Sequence, residues 1–358
     1  MENKKNSVYT DILIIISVLA VVAVSVILKK WFKAEVGSIS WFFMTALQSI
    51  FRFAIPTIIM VSGAKTLSSP DSLSIRTVFY KDILRLAAAF VCWSTFCILL
   101  DKYLFKRGGL LYCAEKFLSD TLIDMNYMWL VLSLIGLYIV SPLLKRIIED
   151  KSLLEYFLLI WFIFTICGNF FSSIPDSYIN FEKINNAFKM SAAIHLSGYF
   201  CLGYYLSNYS IKKPLRFLIY ALSILSIIAF LAITYYISVK EGRTISTFIP
   251  KKLPMTVFVP ASVFLLIKNV FGEEKSSPKI ISFWAKASFG IFMCHLAVLD
   301  CLMKSGILPH TRVIYLIIIT TAATYLVSLI ISAILNSIPF VKKYIKLKMR
   351  GEKNGIHC

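Results

Sequence analysis

Charged residues are scarce in this chain of 358 residues. Only 16% of the residues are charged and 58% are hydrophobic, whereas a soluble domain carries about 25% charged residues. Acidic residues are especially few, at 19 against 38 Lys and Arg. So little polar surface excludes a soluble globular domain, a disordered chain and a small disulfide scaffold. The composition therefore indicates a protein that crosses a membrane several times.

The chain also lacks the short motifs of many enzymes and metalloproteins. It contains no C-x-x-C or Cys/His spacing, no Gly-rich phosphate loop and no G-x-S-x-G. Most of its 8 cysteines lie in hydrophobic stretches, so we interpret them as packing residues and expect no metal. The net charge of +19 is spread over the predicted loops, which favours membrane lipids with anionic headgroups as partners and argues against nucleic acid.

Long hydrophobic stretches are abundant instead. A membrane helix needs about 20 mostly apolar residues. Ten stretches between charged residues reach or approach this length, and they are centred near residues 20, 52, 93, 135, 164, 200, 227, 261, 294 and 325. The sequence predicts an all-α, polytopic membrane bundle of about ten transmembrane helices.

Basic residues are distributed unevenly between the two sides of this predicted bundle. Both terminal tails and the loops on their side hold 22 Lys and Arg residues, and the five other loops hold 15. Because basic residues are enriched in cytoplasmic loops, both termini are predicted to be cytoplasmic. We expect a membrane-embedded domain over residues 1–340 and a basic cytoplasmic tail over residues 341–358.

Titratable residues inside the hydrophobic stretches are candidates for function, because a charge at the centre of a membrane helix costs about 2.5–3.5 kcal/mol. Arg52, in the second stretch, either holds an anionic group or caps carbonyl groups that Pro56 leaves free. His295, in the ninth stretch, is either a functional group or a neutral packing residue. His195 lies near the outer end of the sixth stretch, where an interfacial position is the ordinary interpretation.

Aromatic residues near predicted helix ends usually form interfacial belts. Tyr127 and Trp129 differ from the others because Asp124 and Asn126 stand beside them at the predicted outer surface. We therefore consider both aromatic residues as candidates for substrate binding. By composition and spacing alone, the chain fits a transporter as well as an enzyme.

Several strings in chain order resemble acyltransferase family 3, whose members are integral-membrane acyltransferases that modify bacterial surface polysaccharides. The strings are YTDIL at 9–13, RFAIP at 52–56, MVSG at 60–63, YKDILR at 80–85, MWL at 128–130, GYFCLGYYL at 198–206 and SFGI at 288–291. The resemblance covers essentially the whole chain. It implies transfer of an acyl group, commonly acetyl from acetyl-CoA, to a carbohydrate hydroxyl, and a location in the bacterial cytoplasmic membrane.

The family's first helix carries an Arg and, eleven residues later, a His. Eleven residues complete about three turns of a helix, so both side chains share one face. With Asp11 as the anchor, the corresponding residues are Ile14 and Ser25. Ile14 cannot hold a phosphate, and Ser25 has no useful basicity near neutral pH. The resemblance therefore predicts the fold, but this sequence departs from the family at the catalytic motif.

Two hypotheses follow from this departure. In the first, the chain is an acyltransferase with a relocated base, which is His295 or, as the second choice, His195. Arg52 would then stabilise charge in the cavity, and His295 and Arg52 should line this cavity together with Ser25. In the second, the chain is a catalytically inactive relative that binds or transports a lipid-linked sugar or an acyl group.

The first hypothesis also assigns the binding residues. Arg85 and Lys65 would bind acetyl-CoA or another acyl-CoA, as co-substrate, at the cytoplasmic face. The acceptor, a carbohydrate or a lipid-linked sugar, would contact Tyr127, Trp129 and His195.

Overall fold

The structure is a computed structural model, and it describes residues 7–69, 75–105, 129–167, 190–245, 255–272, 277–305 and 312–337, with Leu111 and Glu115 between them. Within these ranges the secondary structure is helical, which confirms the predicted all-α class. The helices are α1 (Val8–Trp31), α2 (Ile39–Phe51), α3 (Ala54–Leu67), α4 (Ile75–Thr77), α5 (Leu84–Phe105), α6 (Trp129–Ile147), α7 (Lys151–Trp161), α8 (Met190–Asn208), α9 (Lys213–Lys240), α10 (Met255–Phe271), α11 (Lys279–Lys304) and α12 (Val313–Ser337). Two π-helical turns, Val78–Ile83 and Phe162–Cys167, precede α5 and follow α7.

Six helical stretches are long and apolar enough to cross a membrane. They are α1, the continuous stretch Ile39–Leu67 formed by α2 and α3, α6, α9, α11 and α12. These stretches indicate a multi-pass membrane protein. The count of ten spans and the cytoplasmic placement of the termini stay predictions, and the predicted tail at 341–358 lies outside the described residues.

Helix α1 lies at the centre of the bundle. It packs against α2, α3, α10, α11 and α12. Leu13 and Val22 are nine residues apart and therefore lie on opposite sides of α1, because a helix turns about 100° per residue. Both are fully buried. A helix that is apolar on all sides is placed in the interior, where it can present side chains to several neighbours at once.

Helices α1 and α11 run parallel to each other. Asp11 of α1 accepts a hydrogen bond from Ser277, which lies just before α11. Towards the other end, Lys29 forms an ion pair with Asp300 at 2.9 Å. The order of the contacts is the same along both helices, which fixes their relative register as well as their direction.

The stretch formed by α2 and α3 runs antiparallel to α1. The indole Nε1 of Trp31 donates to Thr45 Oγ1 at 2.9 Å near one end. Near the other end, Lys65 Nζ lies 3.2 Å from Asp11 Oδ1. The C-terminal end of α1 thus contacts the N-terminal part of α2, and the N-terminal end of α1 contacts the C-terminal part of α3.

The break between α2 and α3 follows from Pro56. Proline has no backbone N–H, so the carbonyl of Arg52, four residues earlier, loses its helical hydrogen bond. Helix α2 accordingly ends at Phe51, and α3 begins at Ala54. Arg52 and Phe53 keep right-handed helical dihedral angles, so the chain bends locally and continues in the same direction.

Glycines allow α3 and α8 to approach each other closely. A Cβ atom added at Gly63 would meet the backbone of Phe200, and one added at Gly203 would meet the backbone of Met60. Small residues at such crossings let two membrane helices gain dispersion contacts between their backbones. The contact holds α8 against α3 and, through α3, against the central helix.

Candidate functional site

Ser25 and His295, which we call the Ser–His pair, come together between the two parallel helices. Ser25 Oγ of α1 lies 3.2 Å from Nε2 of His295 of α11. The imidazole is fully buried, whereas Ser25 is half-buried. The structure therefore brings Ser25, which we predict to occupy the family's base position, into hydrogen-bonding distance of the histidine that we predict to be the relocated base.

The second ring nitrogen of His295 fixes its tautomer. Nδ1 lies 2.6 Å from the backbone oxygen of Phe292. A carbonyl oxygen can only accept, so Nδ1 carries the proton, and in the neutral ring Nε2 presents a lone pair to Ser25. The helical backbone of α11 thus orients the ring in the way that a carboxylate does in many catalytic triads.

The hydroxyl group of Ser25 has two acceptors within reach. It donates to the carbonyl of Val21, one turn earlier on α1, at 3.0 Å, and His295 Nε2 lies at 3.2 Å. One proton cannot serve both acceptors fully, so the hydroxyl can rotate between them. After Nε2 takes up a proton, it can donate back to Oγ, so the pair can both remove and return a proton.

Arg52 lies at the same height in the bundle as the Ser–His pair. Helices rise by about 1.5 Å per residue, and interpolation between the two contacts that join α1 to α2 and α3 places Arg52 level with Val24. Val24 immediately precedes Ser25. The break at Pro56 therefore occurs at the level of the candidate site.

Only some of the interactions that the Arg52 side chain can make are found among the described residues. Its guanidinium carbon lies 5.2 Å from the centroid of the Phe230 ring of α9, a cation–π contact. Its buried Nε atom has no hydrogen-bond partner among the described residues, and the same holds for both amide atoms of Gln48, which is 1% exposed. Gln48 and Arg52 are four residues apart and share a face of the helix. Because buried polar groups in native proteins are nearly always satisfied, this face is suited to a polar ligand or ordered water.

Helix α12, which packs against α11, carries a row of buried hydroxyl groups. The Sγ atom of Cys294 lies 3.8 Å from the carbonyl of Ser328, which places the backbone of Ser328 beside the residue that precedes His295. The hydroxyl groups of Thr320, Thr324 and Ser328 are buried and have no hydrogen-bond partner among the described residues. The four-residue spacing puts them on one face of α12.

Charged groups meet at the N-terminal end of α1. Asp11 is 1% exposed; its Oδ1 atom pairs with Lys65 Nζ at 3.2 Å, and its Oδ2 atom accepts from Ser277 Oγ at 2.6 Å. Ile14, which we predict to occupy the family's Arg position, is buried one turn further along α1. Lys65 thus brings a cation from α3 to nearly the height at which the family places its Arg. In the described structure Asp11 neutralises that cation.

Two further lysines lie at helix ends. Lys268 Nζ donates to the carbonyls of Leu206 and Ser207 at 2.6 and 2.9 Å, and Lys145 Nζ donates to the carbonyl of Leu67. These carbonyls belong to the last turns of α8 and α3, which have no helical partners of their own. The two lysines therefore cap helices.

Arg85, Trp129 and His195 have no contact with the Ser–His pair among the contacts of the described residues. Arg85 is half-buried in the first turn of α5, where Asp82 attracts it. Trp129 is half-buried at the start of α6, and the backbone carbonyl of His195 accepts from Trp161 Nε1 at 2.9 Å. Tyr127 lies outside the described residues. The roles predicted for these four residues stay predictions.

Sequence reasoning missed two features of the site. It expected Ser25, His295 and Arg52 to line one cavity, but the hydrogen bond between Ser25 and His295, across 270 positions of the chain, was not predicted. It also missed the buried ion pair of Asp11 with Lys65. A signal for the second was present, since an acidic residue in a nearly uncharged stretch needs a partner.

Comparison with known proteins identifies a family for this chain. The family model described as "Acyltransferase domain", of acyltransferase family 3, matches residues 8–335, which is nearly the whole chain. Searches of curated proteins and of solved structures returned no match. The matched range includes the Ser–His pair, Arg52 and the ion pair at the start of α1.

Proposed function

Because the chain belongs to acyltransferase family 3, we propose that it transfers an acyl group, most simply acetyl, from acyl-CoA to a hydroxyl group of a carbohydrate, with His295 as the general base. The observation that carries this proposal is the contact of His295 Nε2 with a hydroxyl oxygen at 3.2 Å, with Nδ1 held by a carbonyl at 2.6 Å. A base that is oriented through one nitrogen and faces a hydroxyl through the other meets the geometric requirement for general base catalysis.

Arg52 would stabilise the negative charge that develops on the acyl oxygen. Its position at the level of the Ser–His pair supports this role, and so does its buried Nε atom without a hydrogen-bond partner among the described residues. A cation held in a site of low dielectric constant stabilises an oxyanion more strongly than a cation in water. The break at Pro56 would serve to place this cation at mid-helix.

Lys65 would bind the phosphate groups of CoA at the end of α1 that we predict to be cytoplasmic, with Arg85 as a second cation. Lys65 stands close to the height of Ile14 and could replace the Arg that the family has there. Its present partner, Asp11, would compete with the phosphate groups and hold the lysine in place in their absence. A phosphate group accepts charge-assisted hydrogen bonds from Lys in the same way as a carboxylate does.

The acceptor would occupy the polar surface around His295. The hydroxyl groups of Thr320, Thr324 and Ser328 on α12 lack partners among the described residues, and hydroxyl groups are natural partners for a sugar. Trp129, Tyr127 and His195 stay candidates for contacts with the remainder of a carbohydrate or a lipid-linked sugar. We place the protein in the bacterial cytoplasmic membrane, in contact with membrane lipids.

The test is acyl transfer by the full chain in lipid nanodiscs, supplied with radiolabelled acetyl-CoA and a bacterial surface polysaccharide that has free hydroxyl groups. We expect label to pass to the polysaccharide, and His295→Gln should lower the rate about 10²–10⁴-fold, the usual contribution of a general base. His357→Gln, in the predicted tail, is the matched control and should keep the rate of the unaltered chain.

The same experiment separates the second candidate function. Buried Ile14 and the neutralised Lys65 favour an inactive relative, since no uncompensated cation among the described residues stands at the predicted phosphate position. Binding of CoA without release of an acyl group, with several acyl chain lengths, would identify a binding or transport protein. If neither acyl transfer nor CoA binding is detected, the acyltransferase proposal is rejected.

A further inference from the structure

The exposure of the two side chains in the Ser–His pair limits how a base could act. His295 is fully buried, and Ser25 is the half-buried member of the pair. Ser25 Oγ lies 3.2 Å from Nε2, so a molecule that approaches Nε2 past the half-buried Ser25 meets the serine oxygen first. The atom that a substrate meets at this point is therefore the serine oxygen.

We infer that Ser25 is a nucleophile that carries the acyl group as an ester between donor and acceptor, with His295 as its base. The inference rests on the proposed function, because it describes a route for the same transfer. A serine hydroxyl within hydrogen-bonding distance of an imidazole, whose other nitrogen is oriented by a third group, is the arrangement of an activated serine nucleophile. Here the third group is the carbonyl of Phe292.

The first step forms the ester. Ser25 Oγ attacks the carbonyl carbon of the acyl-CoA thioester while its proton passes to His295 Nε2. The bond between the carbonyl carbon and sulfur breaks, and the leaving thiolate takes the proton from Nε2. The products are acyl-Ser25 and CoA with a free thiol, and His295 is again neutral.

The second step returns the enzyme to its starting state. The acceptor hydroxyl gives its proton to His295 Nε2, and its oxygen attacks the carbonyl carbon of the serine ester. The bond from that carbon to Ser25 Oγ breaks, and Oγ takes the proton from Nε2. Both tetrahedral intermediates carry an oxyanion at the height of Arg52.

The alternative acceptor of the serine proton fits this cycle. With neutral His295, the hydroxyl of Ser25 can donate to Nε2 at 3.2 Å, and it can otherwise donate to Val21 O at 3.0 Å. After rotation to Val21, the proton of Ser25 no longer occupies the lone pair of Nε2. Once Ser25 is esterified it has no proton to donate, so in the second step Ser25 does not compete with the acceptor hydroxyl for Nε2.

The experiment is a pulse-chase measurement that first labels the covalent intermediate and then follows transfer of the label to the acceptor. The full chain in nanodiscs is mixed with radiolabelled acetyl-CoA in the absence of acceptor, denatured in acid and separated from free label. We expect about one acetyl group per chain, removable by hydroxylamine, and a mass increase of one acetyl group on the peptide that contains Ser25. Later addition of polysaccharide to a sample that is not denatured should discharge the label.

Variants locate the label. Ser25→Ala should abolish it and lower transfer to polysaccharide about 10²-fold or more. Ser25→Cys should retain an acyl group, now as a thioester, which shows that the position is acylated even where Ser25→Ala folds poorly. Ser337→Ala is the matched control, since Ser337 also donates to the carbonyl four residues earlier, at 2.8 Å, and it should keep both label and transfer.

The outcomes distinguish this inference from the proposed function. Transfer to polysaccharide that depends on His295, with no label on Ser25 and with activity retained in Ser25→Ala, overturns the covalent route and leaves His295 as a direct base. Absence of transfer in the unaltered chain, with every acyl-CoA and acceptor supplied, overturns the proposed function itself. Label on a residue other than Ser25 also overturns the inference.

Discussion

The buried ion pair between Asp11 and Lys65 should contribute far more to stability than the exposed pair between Lys29 and Asp300, although the exposed pair is shorter. The buried atoms are 3.2 Å apart, with side chains 1% and 11% exposed. At an effective dielectric constant of about 20, unit charges at that distance attract each other by about 5 kcal/mol. Because removal of one member leaves a buried charge without its partner, Asp11→Asn and Lys65→Met should each cost about 3–5 kcal/mol.

The exposed pair is the control within the same molecule. Its atoms are 2.9 Å apart, but its side chains are 44% and 34% exposed. Solvent and salt screen such a pair, so Lys29→Met and Asp300→Asn should each change the free energy of unfolding by no more than about 1 kcal/mol. The two ion pairs, at opposite ends of α1, differ in both burial and distance. Their comparison therefore shows which of the two sets the contribution to stability.

The assay is a double-mutant cycle for each pair, measured by denaturant unfolding in mixed micelles. For the buried pair, the double variant should cost clearly less than the two single variants added together, with a coupling of about 2 kcal/mol or more. For the exposed pair the effects should add. Additive costs at Asp11 and Lys65, or equal coupling in both pairs, would refute the reasoning that burial sets the strength of these contacts.

Three further predictions concern packing and the site. Gly63→Val should lower the free energy of unfolding by about 1–3 kcal/mol or more, because the valine side chain would collide with the backbone of Phe200. Gly136→Val is the control, since nothing lies within 4 Å of a Cβ atom added there. An equal loss of stability in both variants would contradict the close crossing of α3 and α8. Arg52→Gln should lower kcat of acyl transfer about 10²-fold and leave KM for acyl-CoA nearly unchanged, as expected for a group that acts on the transition state; an effect on KM alone would contradict that role. Lys65→Met should raise KM for acyl-CoA about 10- to 150-fold, since a charge-assisted hydrogen bond contributes about 1.5–3 kcal/mol. Lys65→Arg should restore most of the affinity, and an unchanged KM in Lys65→Met would remove Lys65 from the phosphate site.

The broad fold could be predicted because it depends on local properties of the sequence. Apolar stretches of sufficient length predict membrane helices without knowledge of their neighbours. The break next to Arg52 is equally local, since Pro56 removes a donor that the carbonyl four residues earlier needs. The family could be identified for a similar reason, because its strings are short and keep their order along the chain.

The contacts within the site could not be predicted from the sequence. Ser25 and His295 belong to α1 and α11, which are far apart along the chain, and their contact depends on the direction and register in which the two helices pack. Composition does not encode that register, and each residue on its own also fits a packing role. The sequence led us to expect Ser25 and His295 in one cavity, but only the fold shows that Nε2 of His295 directly faces the serine hydroxyl.

The most direct test of the account is a double-mutant cycle on transfer itself, with kcat/KM measured for Ser25→Ala, His295→Gln and the double variant. If the Ser–His pair acts as one unit, the double variant should be no slower than the slower single variant, because either change alone already disables the unit. If the two reductions instead multiply in the double variant, Ser25 and His295 act independently, and the pair is not the catalytic centre.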